Sequence, residues 1–356
     1  MLRGTREAAR GAHGDVDLQP HQVHLSSIPE QWIPEKSLFP DDGCEHDAGS
    51  QPPRPSKGTT MFVLLGSNGQ ITSKLARLLL AAGHPVRVVG RNAAALAPLA
   101  SAGAEIAAGD PADAAFLARA FAGATAVYTM IPPCYAEPDM RAAQDRIGTA
   151  IASALRQARV PRVVNLSSIG AELSQGTGPI EALHAQEQRL DAIPGLDLLH
   201  LRPGSFMENL LPGAAVVAAA GVLPGMEAPD AAIPMVATRD IAAVAARELT
   251  APQHRGILLL HAPRHITMRE AAAALGAAIR QPGLPYVQAA PAEAKAELQA
   301  VGFSANAADQ LETLAGWLST SPLASVAAGP VAIQQTTIEQ FARDEFAPAY
   351  AQAKAA

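Results

Sequence analysis

From residue 61 onward, short apolar runs alternate with segments whose apolar residues recur every three or four positions. The first run, at 61–65, precedes an amphipathic segment that ends at Gly83, and the order repeats until a sixth run ends near residue 204. Short apolar runs are typical of buried strands, and the longer spacing is typical of helices. Alternating units of this kind predict parallel strands with helices on both faces, which is a doubly wound α/β sheet.

The pattern changes after the sixth run, where helices and loops predominate. Residues 205–235 and 251–348 are predicted to form a smaller, mostly helical lobe, whereas 236–250 is predicted to be a helix that returns to the main domain of residues 61–204. Residues 1–60 are rich in proline and lack an apolar period, which predicts a disordered tail. Four histidines lie in that tail. Without a fixed frame we expect no metal site there.

Composition narrows the classes of function. The 356 residues are 49% hydrophobic and 17% charged, as in compact globular proteins. The net charge is −6 and no cluster of Lys and Arg occurs, so a nucleic-acid partner is not expected. No apolar run approaches the roughly 20 residues that span a bilayer. The two cysteines suit a reducing compartment, so the sequence predicts a cytoplasmic protein with no membrane partner.

The loop after the first strand carries the strongest chemical signal. Gly66 permits a tight turn and Gly69 permits a close backbone approach, so a pyrophosphate can rest on the amides at the start of the next helix. Thr72 stands where such loops often have a third glycine. Flanked by a strand and a helix, this loop predicts a dinucleotide site. The expected contacts are Gly66, Ser67, Asn68, Gly69, Gln70 and Ile71.

The end of the second strand indicates which dinucleotide to expect. An NAD site usually has an acid here for the ribose 2′-hydroxyl, but no Asp or Glu occurs from Gly83 to Pro98, and Arg91 follows the strand. A guanidinium pairs well with a 2′-phosphate, so the sequence predicts NADP(H); the alternative is that Arg91 is an ordinary surface cation. Asp110 follows the third strand, where it can bind the adenine amino group or cap the next helix.

Several of these segments together resemble a known family. The motifs are GSNGQI at 66–71 with Arg91, Gly109-Asp110, IPP at 131–133, VVNLSSIGA at 163–171 and LRPGSFMENLL at 201–211. They are similar to the NmrA-like branch of the atypical short-chain dehydrogenases/reductases. The resemblance covers roughly residues 61–348 and implies a Rossmann domain that binds NADP(H), with a small C-terminal lobe. That family includes NADPH-dependent reductases and nucleotide-sensing regulators without turnover.

Residues that follow the middle strands are expected to complete the site. Further cofactor contacts are expected from Ile131, Pro132, Ser167 and Pro203. Phe206, Met207 and Asn209 follow the sixth strand and are placed to line the substrate, although Phe206 and Met207 are also suited to the core. Cys134 is expected near the same pocket as an inert thiol.

The catalytic residues usual in short-chain reductases are incomplete. Such enzymes place a serine beside a Tyr-x-x-x-Lys pair. Ser168 follows the fifth strand as that serine does, but no lysine occurs between residues 75 and 294. The literal match of Tyr350 with Lys354 lies at the chain end, where we expect fraying and a chance match. His184, near the position of the missing lysine, can donate a proton or bind the nicotinamide ribose; otherwise it is a surface helix residue.

The missing Tyr–Lys pair bears on the substrate. Reduction of a ketone produces a basic alkoxide that needs a good acid, whereas a quinone or conjugated enone produces a stable anion that water can protonate. The sequence therefore predicts an NADPH-binding reductase of a quinone or a similar small-molecule electrophile. The alternative is an inactive NADP(H) sensor that acts through a protein partner. A homodimer is compatible with either function.

Overall fold

A central parallel sheet organises the protein. The computed structural model describes residues 60–66, 69–321 and 329–355, so the predicted tail lies outside the described residues except for residue 60. The strands within these ranges are β1 (Phe62–Leu65), β2 (Val86–Gly90), β3 (Glu105–Ala108), β4 (Ala126–Thr129), β5 (Arg162–Leu166), β6 (Asp197–Pro203), β7 (Ser205–Phe206), β8 (Leu223–Gly225), β9 (Met235–Val236), β10 (Gly256–His261), β11 (Tyr286–Gln288) and β12 (Val331–Ile333). Eight of them form one sheet in the order β12-β10-β6-β5-β4-β1-β2-β3.

Helices connect the strands and build the lobe. They are α1 (Gln70–Ala81), α2 (Ala93–Ser101), α3 (Ala114–Phe121), α4 (Met140–Ala158), α5 (Ile180–Asp191), α6 (Gly213–Ala220), α7 (Thr238–Thr250), α8 (Met268–Ala278), α9 (Pro291–Ala300), α10 (Ala305–Thr320), α11 (Ile338–Phe341) and α12 (Ala347–Ala355). A 3-10 turn covers Met207–Leu210 and a π-helical turn covers Ala342–Phe346. None of the helices in the described ranges combines the length and apolar character that a bilayer crossing needs.

The sheet is buried on both faces. Val63 and Leu64 are neighbours in β1, yet they belong to opposite hydrophobic clusters, because successive side chains of a strand point to opposite faces. The Leu64 cluster lies under α1, α2 and α7, and the Val63 cluster lies under α3 and α4. Burial on both faces explains why the strands are continuous apolar runs rather than alternating ones. The predicted doubly wound α/β sheet is confirmed.

The lobe has its own core but a smaller extent than expected. Its buried cluster draws on α6, α8, α10 and α12. Strands β10 and β12, which fall inside the predicted lobe interval 251–348, instead extend the central sheet: β10 pairs with β6, with Leu258 opposite Leu201. Leu258 and Leu260 of β10 are buried there in the same hydrophobic cluster as Leu64, so the core of the main domain accounts for their apolar character. Helix α7 packs on α1, as the predicted returning helix should.

Candidate functional site

The turn between β1 and α1 presents backbone N–H groups at the carboxyl edge of the sheet. Gly66 has a φ of +140°, which side chains rarely adopt, and a Cβ there would overlap Thr72 Oγ1 and lie 3.2 Å from Met130 Cγ. Gly69 is the N-cap of α1 and supplies no side-chain cap, and the first turn contains no acid. The first amides of the helix therefore lack intrahelical partners and suit an anion such as a pyrophosphate. Ser67 and Asn68 lie outside the described residues.

Thr72 explains how the loop manages without a third glycine. The residue is almost fully buried, and its hydroxyl lies directly beneath the Gly66 turn. Thr72 thus fills the space that a third glycine would leave. As a result, residue 66 has no room for a side chain. Gln70 is exposed, so its side chain and its amide are both accessible to a cofactor. Ile71 is buried in the core beside the sheet and can offer only its backbone amide.

The end of β2 carries an exposed cation. Arg91 forms no ion pair or hydrogen bond with any described residue, whereas its neighbour Asn92 caps α2 by accepting from the amides of Ala94 and Ala95. The exposed guanidinium of Arg91 follows β2, and the uncapped start of α1 follows the neighbouring strand β1. Together they fit a dinucleotide that carries a 2′-phosphate.

Asp110 does not cap the helix that follows it. Its Oδ1 accepts from the Ala112 amide at 2.8 Å, which stabilises the turn, and the cap of α3 is Asp113, which accepts from Ala115 and Phe116. Of the two roles considered for Asp110, the capping role is wrong, because Asp113 already satisfies the exposed amides of α3. Binding of the adenine amino group stays a prediction.

The segment after β4 lies beside the glycine turn. Ile131 is buried and Pro132 is half-buried, and Gln144 Nε2 donates to Pro133 O at 3.3 Å, which holds this segment on α4. Cys134 has a φ of +58°. Burial raises the pKa of its thiol to about 11, an effect that the positive charge of Arg91 opposes. The thiol is therefore protonated at neutral pH, as expected for an inert cysteine.

Two serines follow β5. The amide of Ser167 donates to Leu201 O at 2.8 Å, and Pro203 O accepts from Ile169, so this loop is fixed to β6. The Oγ of Ser167 is buried and has no partner among the described residues. A buried hydroxyl without a partner at the carboxyl edge suits a cofactor contact. Ser168 Oγ donates to Ile169 O at 2.9 Å.

His184 is anchored rather than free on the helix surface. Its Nδ1 lies 2.8 Å from the carbonyl oxygen of Ala171 in the loop after β5, and the ring is half-buried. A carbonyl only accepts, so Nδ1 carries the hydrogen, and the neutral ring presents Nε2 as an acceptor. This form of His184 can accept a hydrogen bond from a ribose hydroxyl, and only the protonated form can donate from Nε2.

Two cavities meet at the segment after β6. The first, of about 130 Å³, which we call the open cavity, is lined by Ser168, Ile169, Ile180, Gly204, Ser205, Phe206, Asn209, Leu314, Trp317 and Leu318. The second, of about 110 Å³, which we call the enclosed cavity, is lined by Ser205, Phe206, Asn209, Leu210, Gly213, Leu223, Pro224, Gly225, Glu227, Ile233, Met235 and Met268. Phe206 and Asn209 line both cavities, whereas Met207 is buried in the lobe core and Cys134 lines neither. That Phe206 and Asn209 line a substrate stays a prediction.

Helix α10 forms a wall that sequence reasoning missed. A Cβ on Gly170 would lie 2.6 Å from Trp317 Cη2, so the loop after β5 and α10 are in direct contact. The helix also contributes Leu314 and Leu318 to the open cavity. Its amphipathic pattern predicts a helix but not its position, although one of only two tryptophans on an apolar helix face was an available signal.

Tyr350 lies in the lobe core and not at a frayed end. It is buried, and its hydroxyl accepts from Gln281 Nε2 at 2.8 Å. Gln281 follows the last turn of α8, whereas Met268 at the first turn of that helix lines the enclosed cavity. Since 11 helical residues span about 16 Å, the Tyr350 hydroxyl and the cavity lie at opposite ends of α8.

An ion pair between half-buried Lys74 and buried Glu208 joins the two parts of the site. Glu208 lies in the 3-10 turn that carries Asn209, and its carboxylate accepts from Lys74 Nζ at 3.2 Å and from the amide of Thr238 at 2.9 Å. Lys74 also donates to Thr238 Oγ1 at 2.6 Å. These contacts connect α1, the segment that lines both cavities, and the start of α7. No pattern in the linear sequence brings these three residues together.

The sequence of this chain is similar to those of known proteins. A family model described as NAD(P)H-binding matches residues 66–252. The NAD(P)H azoreductase of Xenophilus azovorans is 30% identical over 272 residues, which are 74% of this chain and 92% of that protein. The (4-alkanoyl-5-oxo-2,5-dihydrofuran-3-yl)methyl phosphate reductase of Streptomyces griseus is 30% identical over 223 residues, which are 62% of this chain and 75% of that protein.

Solved structures show the same fold. The NADPH-dependent quinone oxidoreductase of Escherichia coli, solved with NADPH, has a TM-score of 0.62 and 21% identity over 79% of this chain and 98% of that one. The triphenylmethane reductase of Citrobacter, solved with NADP(H), has a TM-score of 0.62 and 18% identity over 82% of this chain and 99% of that one. At these identities the likeness concerns the fold.

Proposed function

Because this chain belongs to the NAD(P)H-binding family, we propose that it is an NADPH-dependent reductase of conjugated small-molecule electrophiles such as quinones. The observation that carries the proposal is the lining of the open cavity. Its walls are mostly apolar, and its polar groups are the side chains of Ser168, Ser205 and Asn209 and the indole N–H of Trp317, none of which titrates near neutral pH. Such a site can bind and orient a planar acceptor, but it offers no strong proton donor.

The chemistry of hydride transfer accounts for this lining. When bound, NADPH supplies the hydride, and the chain's own residues have to bind, orient and exclude water. A quinone that accepts a hydride becomes a hydroquinone anion, whose charge is delocalised and whose protonation by water is easy. The azo, quinone and triphenylmethane groups in the names of similar proteins are likewise conjugated, which supports the same class of acceptor here.

An acceptor panel tests the proposal. The full chain would first be titrated with NADPH and with NADH, and NADPH oxidation would then be followed with a quinone, an azo dye and a simple ketone. We expect oxidation with the conjugated acceptors and not with the ketone. Tight NADPH binding with no oxidation of any acceptor would contradict the proposal and favour a nucleotide sensor. A cytoplasmic location, a homodimer and the lack of a nucleic-acid partner stay predictions from the sequence.

Arg91→Ala should remove most of a preference for NADPH over NADH. A charge-assisted contact with the 2′-phosphate contributes about 1.5–3 kcal/mol, so NADPH affinity should fall roughly tenfold or more while NADH affinity stays constant. Fluorescence titration of both cofactors measures the effect. Arg77→Ala is the matched control, because Arg77 is an exposed cation on α1 with no described partner. Equal affinities of the unmodified protein for the two cofactors would refute the role of Arg91.

His184→Ala should lower NADPH oxidation tenfold or more. We propose that His184 positions the nicotinamide ribose through Nε2, because its Nδ1 hydrogen is already donated to Ala171. The loss should therefore include a higher KM for NADPH. Tyr350→Phe and Lys354→Ala should stay within about twofold of the unmodified rate, although a positioned general acid is worth about 10²–10⁴ in rate. A large loss from Tyr350→Phe would contradict the interpretation of that pair as a chance match.

A further inference from the structure

The enclosed cavity contains a charge that the proposed reduction does not use. Glu227 is the one charged residue in the lining of either cavity, among the described residues. Most of the side chains around it are apolar, among them Leu223, Pro224, Ile233 and Met268. Glu227 itself is half-buried, and a carboxylate that is partly removed from water favours a partner of opposite charge.

Glu227 has no such partner within the described chain. Its Oε2 accepts from the Met226 amide at 3.2 Å, and the carboxylate forms no ion pair. Other acids nearby are paired, since Asp230 pairs with Arg269 at 2.9 Å. The Glu227 backbone is held firmly, because its carbonyl accepts from the Tyr286 hydroxyl at 2.8 Å. The backbone of Glu227 is therefore fixed at the cavity, and its carboxylate lacks a counter-ion among the described residues.

The two cavities lie side by side. They share Ser205, Phe206 and Asn209. An acceptor ring that lies against Phe206 in the open cavity can thus extend a substituent past Asn209 into the enclosed one. Of the two cavities, Glu227 lines only the enclosed one.

We propose that Glu227 selects acceptors that carry a cationic substituent, such as a quaternary or protonated amine. The inference rests on the proposed function, since it assigns the substrate class of the same site. A cation pairs with the half-buried carboxylate, which has no counter-ion among the described residues. The lining of both cavities contains no Lys, Arg or His within the described residues, so an anionic substituent would find no partner and would be repelled by Glu227. Selection by charge then acts on binding, and the ring alone accepts the hydride.

A matched series of naphthoquinones tests the proposal. Three compounds share the ring and differ in the substituent: an alkyl chain, the same chain ending in trimethylammonium, and the same chain ending in sulfonate. We expect the full chain with NADPH to show kcat/KM in the order cationic, neutral, anionic, with about tenfold between the first two. Glu227→Gln should bring the ratio of kcat/KM for the cationic and the neutral compound to about one, and Glu227→Lys should reverse the order.

A control variant and a binding measurement distinguish a failure of this inference from a failure of the proposed function. Glu293→Gln removes an exposed carboxylate that lines neither cavity, so it should preserve the order. The same compounds would be titrated calorimetrically into the protein without turnover. An unchanged charge preference in Glu227→Gln would overturn this inference while quinone reduction still supported the proposed function. Lack of turnover with a cation preference that depends on Glu227 would refute the proposed function and support the charge selection.

Discussion

Gly66→Ala is expected to lower the affinity for NADPH by about 30-fold. A backbone at φ +140° strains any residue with a Cβ, at a cost of about 2 kcal/mol. The added Cβ would also overlap Thr72 Oγ1. Because Thr72 is buried, its side chain can move away only if α1 shifts. A shift of α1 would relieve the strain. It would also displace the start of the helix, where we place the pyrophosphate, and so weaken cofactor binding.

Two further variants separate this effect from a general loss of stability. Gly83→Ala at the other end of α1 also has a positive φ, of +79°, but no atom lies within 4 Å of its Cβ position. It should lower stability and leave NADPH affinity unchanged. Adding Thr72→Ala to Gly66→Ala should restore part of the affinity, since the overlapping hydroxyl is gone. Fluorescence titration measures all three, and an affinity of Gly66→Ala within twofold of the original would contradict the prediction.

Arg202→Met should lower the free energy of unfolding by about 3–5 kcal/mol. The Arg202 guanidinium is buried; its Nε donates to Glu187 Oε1 at 2.9 Å and its Nη1 donates to Glu172 Oε2 at 3.0 Å. Glu187 is also buried, so the substitution leaves a negative charge in the interior without its partner. Urea denaturation measures the effect.

An exposed pair of the same type is the control. Arg269 contacts both oxygens of Asp230 at 2.9 and 3.2 Å, yet both side chains are largely exposed. Arg269→Met should leave the urea midpoint unchanged, because solvent screens such pairs. The double variant Arg202→Met/Glu187→Leu should recover much of the lost stability, since it removes the buried charge as well. A loss below about 1 kcal/mol in Arg202→Met would show that Glu187 finds water or another donor.

Several parts of the molecule were predictable because they depend on near neighbours in the chain. The strands up to β6 follow from apolar runs, and the Gly66 turn follows from its place between a strand and a helix. The resemblance to an NAD(P)H-binding family is confirmed by the family match over residues 66–252. Prediction was weaker where two nearby residues are suited to the same role. Asp110 and Asp113 are both suited to cap α3, and the structure assigns the cap to Asp113.

The sequence alone determined the alternation of strands and helices, the glycine turn and the cation after β2, because each depends on residues only a few positions apart. Only the tertiary structure decided that β10 joins the central sheet, that Met207 is core while Phe206 faces two cavities, and that Tyr350 lies far from them. The same holds for Glu227, whose neighbours in the cavity come from distant segments of the chain. Such contacts depend on how whole surfaces fit together and become buried, and a local sequence pattern does not contain that information.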